Sequence, residues 1–253
     1  MTLLPLELGD MKLDWPAPYS VRARVVSRRG GGSKPPWTGL NLALHVGDCE
    51  QDVMHNRARL GLSMAERATF QWLNQSHSTD VVAAVPDNTI RDADACFTQE
   101  KNLVCAVLTA DCLPVLFCNK QGDQVAACHA GWRGLGAGIL ENTLSSFLVP
   151  PEDVMVWLGP AIGPDHFEVG ADVREFMYEH YPFMRKSEVF VEQGGGAQRW
   201  LMDLYLAATL VLNRVGVEAV FGGGSCTYCD ESQFYSYRRD GLTGRFASCI
   251  WLE

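Results

Sequence analysis

Short apolar runs separated by turn residues dominate the chain. Three nearly continuous runs stand close together, beginning at Asn102 (NLVCAVLT), Leu113 (LPVLFC) and Gln124 (QVAACHA). A strand that is covered on both faces produces such a run, because neither of its sides meets water. The segment 119–124, NKQGDQ, has the composition of a hairpin turn. We therefore predict buried central strands, two of which are joined by a hairpin.

Shorter β-type runs lie on both sides of this centre, and segments with helical spacing are fewer. The predicted outer strands begin at Ser20 (SVRARVVS), Thr79 (TDVVAAV), Val154 (VMVWLG), Val217 (VEAVF), Phe234 (FYSYR) and Phe246 (FASCIWL). The predicted helices cover 51–60, 134–147, 172–179 and 200–212; the last is apolar nearly all round and is expected to be buried. Many strands with a few covering helices indicate a layered α/β sandwich, and we expect residues 1–253 to form one domain.

Composition narrows the range of partners. The 253 residues carry a formal net charge of −9, which argues against general binding to nucleic acid or to an anionic membrane. The longest apolar stretch, 103–118, is shorter than the roughly 20 residues that a bilayer requires. The N-terminal segment lacks the basic start and apolar core of a secretory signal. Nine irregularly spaced cysteines favour a reduced, cytoplasmic protein over a disulfide framework.

One apolar run contains groups that are costly to bury. Asp111 and Cys112 stand between two predicted strands, and His129 follows on the strand after the hairpin. A thiol and an imidazole brought together in this way suit either a Cys-His nucleophile or a metal site. His77, between two further strands, favours the metal site, because two imidazoles and one thiolate leave a fourth tetrahedral position open. The spacings alone form no local fingerprint, so packing by a buried cysteine stays open.

Other polar groups suggest an anionic substrate. The turn HAGWRGLGAG begins at His129, where exposed N–H groups at a helix start and Arg133 could hold phosphate, although small residues there could also serve tight packing. Arginines recur in loops, notably Arg28, Arg57 and Arg238, and are either phosphate ligands or solvated surface groups. The CTYC segment that begins at Cys226 lacks a second downstream pair of ligands, and we assign it to packing.

Several motifs together closely resemble those of the YfiH-like family, which is variously called laccase-domain protein, polyphenol oxidase or purine nucleoside phosphorylase. The resemblance covers nearly the whole chain. It rests on SRRGGGSKPPWTGLNLALHVGD, NRARL, TADCLPVLFCN, AACHAGWRGLGAGIL, WLGPAIGPDHFEVG and YSYRRDGLTGRFAS. One departure is the serine before the histidine in QSHSTDV, which leaves the ligand itself intact.

The resemblance implies a single-domain α/β sandwich of mixed β-sheets covered by helices. It also implies a metal, zinc or else copper, held by His77, Cys112 and His129. The implied activities are phosphorolysis of adenosine, inosine, guanosine and methylthioadenosine, and deamination of adenosine. Three alternatives stay open: a copper-dependent polyphenol oxidase, a Cys-His hydrolase that edits a peptidoglycan precursor, and a non-catalytic interaction module that zinc stabilises.

We adopt the phosphorylase and deaminase hypothesis, in which a bound metal polarises the substrate. The expected ligands are a nucleoside and phosphate, and the protein is expected to be a monomer or a homodimer. The expected catalytic residues are Cys112, His129, Asp111 and Glu168, with Asp94 a further candidate for proton transfer. Residues expected to bind substrate or phosphate are Arg28, Asn41, Arg57, Arg133 and Arg238.

Overall fold

The computed structural model describes residues 10–11, 13–64, 68–194 and 198–253. The first nine residues, which include most of the segment expected to lack a secretory signal, lie outside this range. In chain order the strands are β1 (Asp10–Met11), β2 (Val21–Val26), β3 (Thr69–Gln71), β4 (Leu73–Asn74), β5 (Val81–Ala83), β6 (Arg91–Asp92), β7 (Ala95–Thr98), β8 (Leu103–Thr109), β9 (Leu113–Asn119), β10 (Val125–Ala130), β11 (Val154–Leu158), β12 (Glu168–Gly170), β13 (Phe190–Glu192), β14 (Arg199–Met202), β15 (Ala219–Gly222) and β16 (Phe246–Leu252).

In the part of the chain that the structure describes, six α-helices accompany these strands. They are α1 (Glu50–Leu62), α2 (Trp132–Ala137), α3 (Ile139–Leu144), α4 (Ala171–His180), α5 (Leu204–Arg214) and α6 (Tyr237–Asp240). Within the described ranges, no helix combines the length and the apolar character needed to cross a bilayer.

Two large sheets form the centre of the fold. One has the strand order β1-β2-β16-β8-β3, and the other has the order β15-β11-β9-β10-β7-β5. Most neighbours are antiparallel, but β3 is parallel to β8, β5 is parallel to β7 and β15 is parallel to β11. The sheets are therefore mixed, as the resemblance implied.

Alternation along the central strands assigns their residues to layers. On β8, Leu103 and Cys105 face the other large sheet, whereas Val104 and Ala106 face the opposite way. Both sets are buried, which explains why β8 is an unbroken apolar run. The outer face of this sheet is covered by α1 and by the chain around Leu40.

The six-stranded sheet packs its outer face against helices α2 to α5. The layers therefore run from α1 through two sheets to the larger group of helices. This arrangement confirms the predicted single-domain layered α/β sandwich. The hairpin predicted at 119–124 is also confirmed, since it joins β9 to β10.

The predicted helix over 134–147 is wrong in detail, because the segment forms two short helices, α2 and α3. Gly138 separates them with a φ of 100°. This left-handed conformation ends a helix, and glycine adopts it without the steric cost that a Cβ atom imposes. The helical spacing of the apolar residues continues across the break, so the pattern alone did not reveal it.

The predicted helix over 200–212 begins too early. Residues Arg199–Met202 instead form β14, the middle strand of a small sheet between β12 and β13. The helix starts after Asp203, whose side chain accepts a hydrogen bond from the backbone N–H of Leu206 at 2.9 Å. An aspartate in this position is a strong helix start signal. An apolar run by itself does not distinguish strand from helix.

The strand predicted at FYSYR is also wrong. The Tyr235 hydroxyl donates to the carbonyl oxygens of Trp37 and Thr38, and the Ser236 side chain accepts from the N–H of Arg239. Ser236 thereby caps the short helix α6. The aromatic residues in this segment satisfy a strand pattern, but their polar atoms are used to join loops.

Candidate metal centre and its pocket

Two strand pairings bring the predicted donors together. In the β9–β10 hairpin His129 lies opposite Pro114, two residues after Cys112, so the hairpin register sets the histidine beside the thiol. His77 lies in the loop after β4, and its Nε2 atom is 3.6 Å from the Cys112 Sγ atom. The donor atoms of His77, Cys112 and His129 all lie within 4.8 Å of one another.

These residues fit a metal ion. Tetrahedral zinc, with bonds of about 2.3 Å to sulfur and 2.0–2.1 Å to nitrogen, separates the two donors by about 3.6 Å. The distance between Cys112 and His77 has this value. A Cβ atom on Gly131 would lie 2.7 Å from the His77 ring and 2.9 Å from the Cys112 sulfur, so only glycine leaves room for both. His129 is buried and His77 is exposed, which leaves one side of the cluster accessible.

The Asp94 side chain holds this cluster in place through hydrogen bonds. Its Oδ1 atom lies 2.7 Å from His129 Nδ1 and accepts the N–H of His77, while its Oδ2 accepts the N–H groups of Ser76 and Ser78. Asp94 is fully buried just before β7, whose Ala95 pairs with Cys128. With Nδ1–H donated to Asp94, His129 presents Nε2 to the thiol, an arrangement common among metal-binding histidines. Asp94 therefore positions His129 from the side remote from the pocket.

Backbone strain marks the same place. His77 has a φ of 65° and Asp111 a φ of 97°, both in the left-handed region that non-glycine residues rarely occupy. The Asp94 carboxylate holds the N–H of His77, and the Asp111 carboxylate accepts the Thr227 hydroxyl and the N–H of Arg238, each at 2.7 Å. Such conformations persist where surrounding contacts fix them, and they concentrate at functional sites.

The charges of the cluster are strongly coupled. Burial by itself would raise the pKa of the Cys112 thiol, but His129 and His77 lower it to about 6. Burial likewise opposes the charge on His129, yet the Cys112 thiolate and Asp94 raise its pKa to about 9. The pKa of Asp94 is lowered despite burial, because His129 and the Ser78 N–H favour the carboxylate. Without an ion, the cluster is therefore a thiolate–imidazolium–carboxylate chain near neutral pH.

A pocket of about 420 Å³ opens onto the cluster, a volume within the usual range for small-molecule sites. Three arginines in its lining each lie near an aromatic ring of the same lining. Arg133 is 4.2 Å from the Trp132 ring, Arg238 is 5.3 Å from Phe167, and Arg245 is 5.9 Å from Tyr237. The pocket thus presents paired cationic and planar surfaces next to the donor cluster.

The predicted catalytic carboxylates occupy different places. Asp111 lines the pocket beside Cys112. Glu168 is exposed, its carboxylate lies 3.8 Å from Arg199 Nε, and it is not among the residues that line the pocket. The backbone carbonyl of Glu168, however, accepts a hydrogen bond from Arg238 at 3.0 Å.

The predicted substrate-binding residues divide in the same way, because Arg133 and Arg238 line the pocket but the other three do not. Arg28 stacks on Tyr235 and lines a separate groove. Asn41 is buried and accepts the N–H of Arg245. Arg57 lies over Trp72 and donates to the Leu42 carbonyl, and burial lowers its pKa to about 10.

Sequence reasoning missed His45, Gln75 and Arg245, all of which line the pocket. Burial and the neighbouring Arg245, Arg57 and His129 lower the pKa of His45. His45 and Arg245 both stand inside the motifs that carry the family resemblance, LNLALHVGD and TGRFAS. Membership of these motifs was therefore the available signal, whereas local spacing was not.

Comparison with known proteins places the chain in a family. Residues 22–253 match the family model described as multi-copper polyphenol oxidoreductase laccase. A Pseudomonas aeruginosa protein named purine nucleoside phosphorylase is 48% identical over 240 residues, which are 95% of this chain and 97% of that protein. The Escherichia coli purine nucleoside phosphorylase YfiH is also 48% identical, over 94% of this chain and 96% of its own length.

Solved structures agree with this placement. Neisseria meningitidis protein NMB0706 has a TM-score of 0.89 at 45% identity, covering 96% of this chain and 99% of its own. YlmD from Geobacillus stearothermophilus has a TM-score of 0.86 at 30% identity, covering 93% of each chain. The protein described here therefore belongs to the YfiH-like family, whose curated members include enzymes named purine nucleoside phosphorylase.

Proposed function

We propose that this protein catalyses phosphorolysis of purine nucleosides in the pocket beside His77, Cys112 and His129. The names of its relatives support an enzyme of this kind. The observation that carries the proposal is the combination, in one pocket, of a metal-binding donor set with three arginine–aromatic pairs. A nucleoside offers a planar base and a ribose, and the second substrate is an oxyanion.

Phosphate is expected to bind among the lining cations. Arg133, Arg238 and Arg245 can donate several hydrogen bonds to phosphate oxygens, and His45 lines the same pocket near Arg245. Burial lowers the pKa of Arg245 although Cys112 and Asp111 act against this shift, so a bound dianion would further favour its charged form. The net negative charge of the protein repels anions in general, whereas the arginines of the lining attract them to the pocket.

The reaction exchanges one bond at the ribose for another. A phosphate oxygen forms a bond to C1′ while the bond from C1′ to the purine N9 breaks, and the electron pair leaves with the base, which takes up a proton. Trp132, Phe167 and Tyr237 provide planar surfaces on which the base can stack. Binding both substrates in one pocket supplies the proximity that the displacement needs.

His77, Cys112 and His129 would hold the metal, for which zinc suits the donor set best. When bound, such an ion supplies Lewis-acid polarisation of a substrate atom. Asp94 keeps the His129 ring oriented toward the ion position. We extend the proposal to deamination of adenosine, in which water replaces the amino group at C6 and ammonia leaves. Asp111 is the lining carboxylate available to move a proton in that reaction.

Metal analysis combined with product assays tests the proposal. Purified protein is incubated with inosine or adenosine, with and without phosphate, and free base, ribose 1-phosphate and ammonia are measured. Phosphate-dependent base release is expected for phosphorolysis, and ammonia release from adenosine for deamination. Cys112→Ala should lower both by about 10³-fold, the equivalent of losing several kcal/mol of metal-derived stabilisation. Cys49→Ala, which alters an exposed cysteine outside the pocket, is the matched control.

Variants of Asp111 and Glu168 test the roles of these two carboxylates in the same assays. Asp111→Asn should slow ammonia release more than Glu168→Gln does, because Asp111 lines the pocket and the Glu168 carboxylate faces Arg199. A fully active Cys112→Ala variant would contradict the proposed centre. Oxygen consumption with a phenol, measured on copper-loaded protein, examines the oxidase alternative in the same set of preparations.

A second candidate is favoured by the hydrogen-bonded chain Cys112–His129–Asp94. A nucleophile, a base and a carboxylate that orients the base are the parts of a Cys-His hydrolase. A zinc ion on the thiolate would prevent its attack on an amide. Zinc-loaded protein that is active on nucleosides therefore favours the first proposal, whereas metal-free protein that forms an acyl-enzyme on Cys112 favours the second.

A further inference from the structure

A second donor cluster lies outside the pocket. The donor atoms of His166, Cys226 and Cys229 all lie within 4.8 Å of one another. His166 belongs to the segment after β11, and the two cysteines stand in the turn after β15. Neither cysteine nor His166 lines the pocket of the first centre. This cluster is the CTYC segment that the sequence assigned to packing, now joined by a histidine that precedes it by 60 residues in the chain.

Local contacts hold the three side chains near one another. Ala161 and Cys226 form an isolated parallel β-bridge, which aligns the two segments. The N–H of Gly163 donates to the Cys226 Sγ atom at 3.2 Å, and a Cβ atom at Gly163 would lie 3.1 Å from that sulfur. The His166 ring stacks on Tyr228, with centroids 4.3 Å apart and planes 16° from parallel. The histidine is therefore positioned by a residue between the two cysteines.

We propose that His166, Cys226 and Cys229 bind a second metal ion, zinc, which joins the segment 159–168 to the segment 223–239. Two thiolates and one imidazole are a soft donor set that zinc prefers. Zinc binding requires two thiol protons to leave to solvent, and the resulting charges balance the ion. Tetrahedral coordination separates such donors by about 3.5–3.8 Å. The half-buried and exposed side chains can reach this spacing through small rotations.

The fourth position is open to solvent. Cys229 is exposed, and a separate groove that includes Cys226, Cys229 and Asp230 gives access to the cluster. Asp165, next to His166 in the chain, lies close enough to act electrostatically on Cys229. Water or this carboxylate would complete the coordination, since both are acceptable ligands for zinc.

The two segments that the ion would join also form the rim of the pocket. Arg238 donates to the backbone carbonyls of His166 and Glu168, and Arg239 donates to those of Thr227 and Tyr228. Phe167, directly after His166, lines the pocket. A metal ion at the second site would therefore hold the positions of the Arg238 and Phe167 side chains without touching substrate.

Counting metal ions per chain tests this proposal independently of any enzyme activity. The full-length protein is reduced, loaded with zinc and freed of unbound metal. Two zinc ions per chain are expected for the natural sequence. Cys229→Ser and His166→Ala should each lose one ion while retaining the other, and Cys112→Ser should lose the ion of the first centre. Cys49→Ser should retain both, since that cysteine is exposed and belongs to neither cluster.

Cobalt substitution identifies the ligands of each ion. Thiolate-to-cobalt charge-transfer absorption reports the number of bound sulfurs, and two of the three expected thiolates belong to the second site. Cys226→Ser together with Cys229→Ser should thus remove about two thirds of this absorption while leaving the imidazole–thiolate signal of the first site. One ion per chain that Cys112→Ser loses and Cys229→Ser retains, or a Cys226–Cys229 disulfide detected by mass after reduction and loading, would overturn the proposal.

Discussion

The two donor clusters differ in their donors, two imidazoles and one thiol at the first against one imidazole and two thiols at the second, and also in what surrounds those donors. At the first, Asp94 receives four hydrogen bonds and links His129 to the loop that carries His77. At the second, the main support is one N–H from Gly163 and the stacking of His166 on Tyr228. The first cluster is preorganised by the protein, whereas the second needs its ion to fix its geometry. Preorganised donors suit catalysis, and donors that an ion completes suit a structural link.

The pKa values of the cysteine thiols also distinguish the two clusters. At the first cluster the pKa of the Cys112 thiol falls to about 6, because His129 and His77 outweigh the effect of burial. At the second cluster the hydrogen bond of the Cys229 thiol to Cys226, and then desolvation, raise the pKa of Cys229. Cys112 is therefore a thiolate at neutral pH without a metal, whereas Cys229 becomes one only when an ion replaces its proton.

Removing Asp94 should have the largest effect of the changes predicted here, because the first cluster would lose the hydrogen bonds that preorganise it. Asp94→Ala leaves three backbone N–H groups and a buried imidazolium without a partner, which should cost about 3–5 kcal/mol of unfolding free energy. Urea unfolding measures this loss. Metal affinity at the first centre should fall about 10- to 100-fold, measured by competition with a chelator, while the second site keeps its affinity.

Asp80→Ala is the matched control for this experiment. Asp80 is an exposed carboxylate close to the same loop, and its side chain makes none of the four hydrogen bonds that Asp94 receives. Its replacement should change stability by less than about 0.5 kcal/mol, as is usual for surface positions. Equal losses for the two variants would show that Asp94 does not organise the centre.

In metal-free protein at pH 7, Cys112 should be alkylated about 100-fold faster than Cys229. With a pKa of about 6, Cys112 is mostly thiolate at this pH, whereas Cys229, with its raised pKa, is almost entirely protonated. The rate for Cys112 should rise with pH toward pH 6 and level off above pH 7. Peptide mapping after brief iodoacetamide treatment measures both sites. Zinc loading should protect Cys112, and faster labelling of Cys229 would contradict the assigned charges.

The sequence predicted the central strands β8, β9 and β10 because each is a short apolar run, buried on both faces and bounded by turn residues. It misplaced the helix over 200–212 because an apolar run carries no period of its own. The donors of the first centre were identified through the hairpin and the family motifs. The role of Asp94 was not predictable, since it depends on the pairing of β7 with β10 across 35 residues of chain.

The second cluster escaped prediction for a related reason. A Cys-x-x-Cys pair indicates a metal site only together with further ligands, and no second pair follows it toward the C-terminus. His166 lies before the pair, and it is brought there by the bridge between Ala161 and Cys226. Contacts of this kind depend on tertiary structure, whereas the local pattern records only the two thiols.

Glycine substitutions should weaken the two sites to different extents. In Gly131→Ala, the new methyl group would lie 2.7 Å from the His77 ring and 2.9 Å from the Cys112 sulfur, so the donors must separate. We expect metal affinity at the first centre to fall about 10-fold or more. In Gly163→Ala the nearest atom is the Cys226 sulfur at 3.1 Å, a milder conflict, and the second site should weaken by about 3-fold.

Chelator competition on both glycine variants measures these affinities. Gly32→Ala is the control, because the nearest atom to its new Cβ would be 3.9 Å away and its φ is not in the left-handed region. That variant should bind two ions with unchanged affinity. A Gly131→Ala variant with unchanged affinity would mean that the first centre does not depend on the close approach seen between His77 and Cys112.

The smallest effect is expected for a variant that tests whether the turn carrying the second cluster influences the pocket. The Thr227 hydroxyl, between the two cysteines, donates to Asp111, which precedes Cys112 and also accepts the N–H of Arg238. Thr227→Val removes this bond at a cost of about 1 kcal/mol while keeping the shape of the side chain. Because Arg238 would lose part of its support, the KM for phosphate should rise about 2- to 5-fold with both ions retained. Thr209→Val, which removes a hydroxyl bond inside α5, should leave KM unchanged. A rise in KM equal for both variants would show that the loss comes from general loosening and that the turn after β15 does not act on the pocket through Asp111.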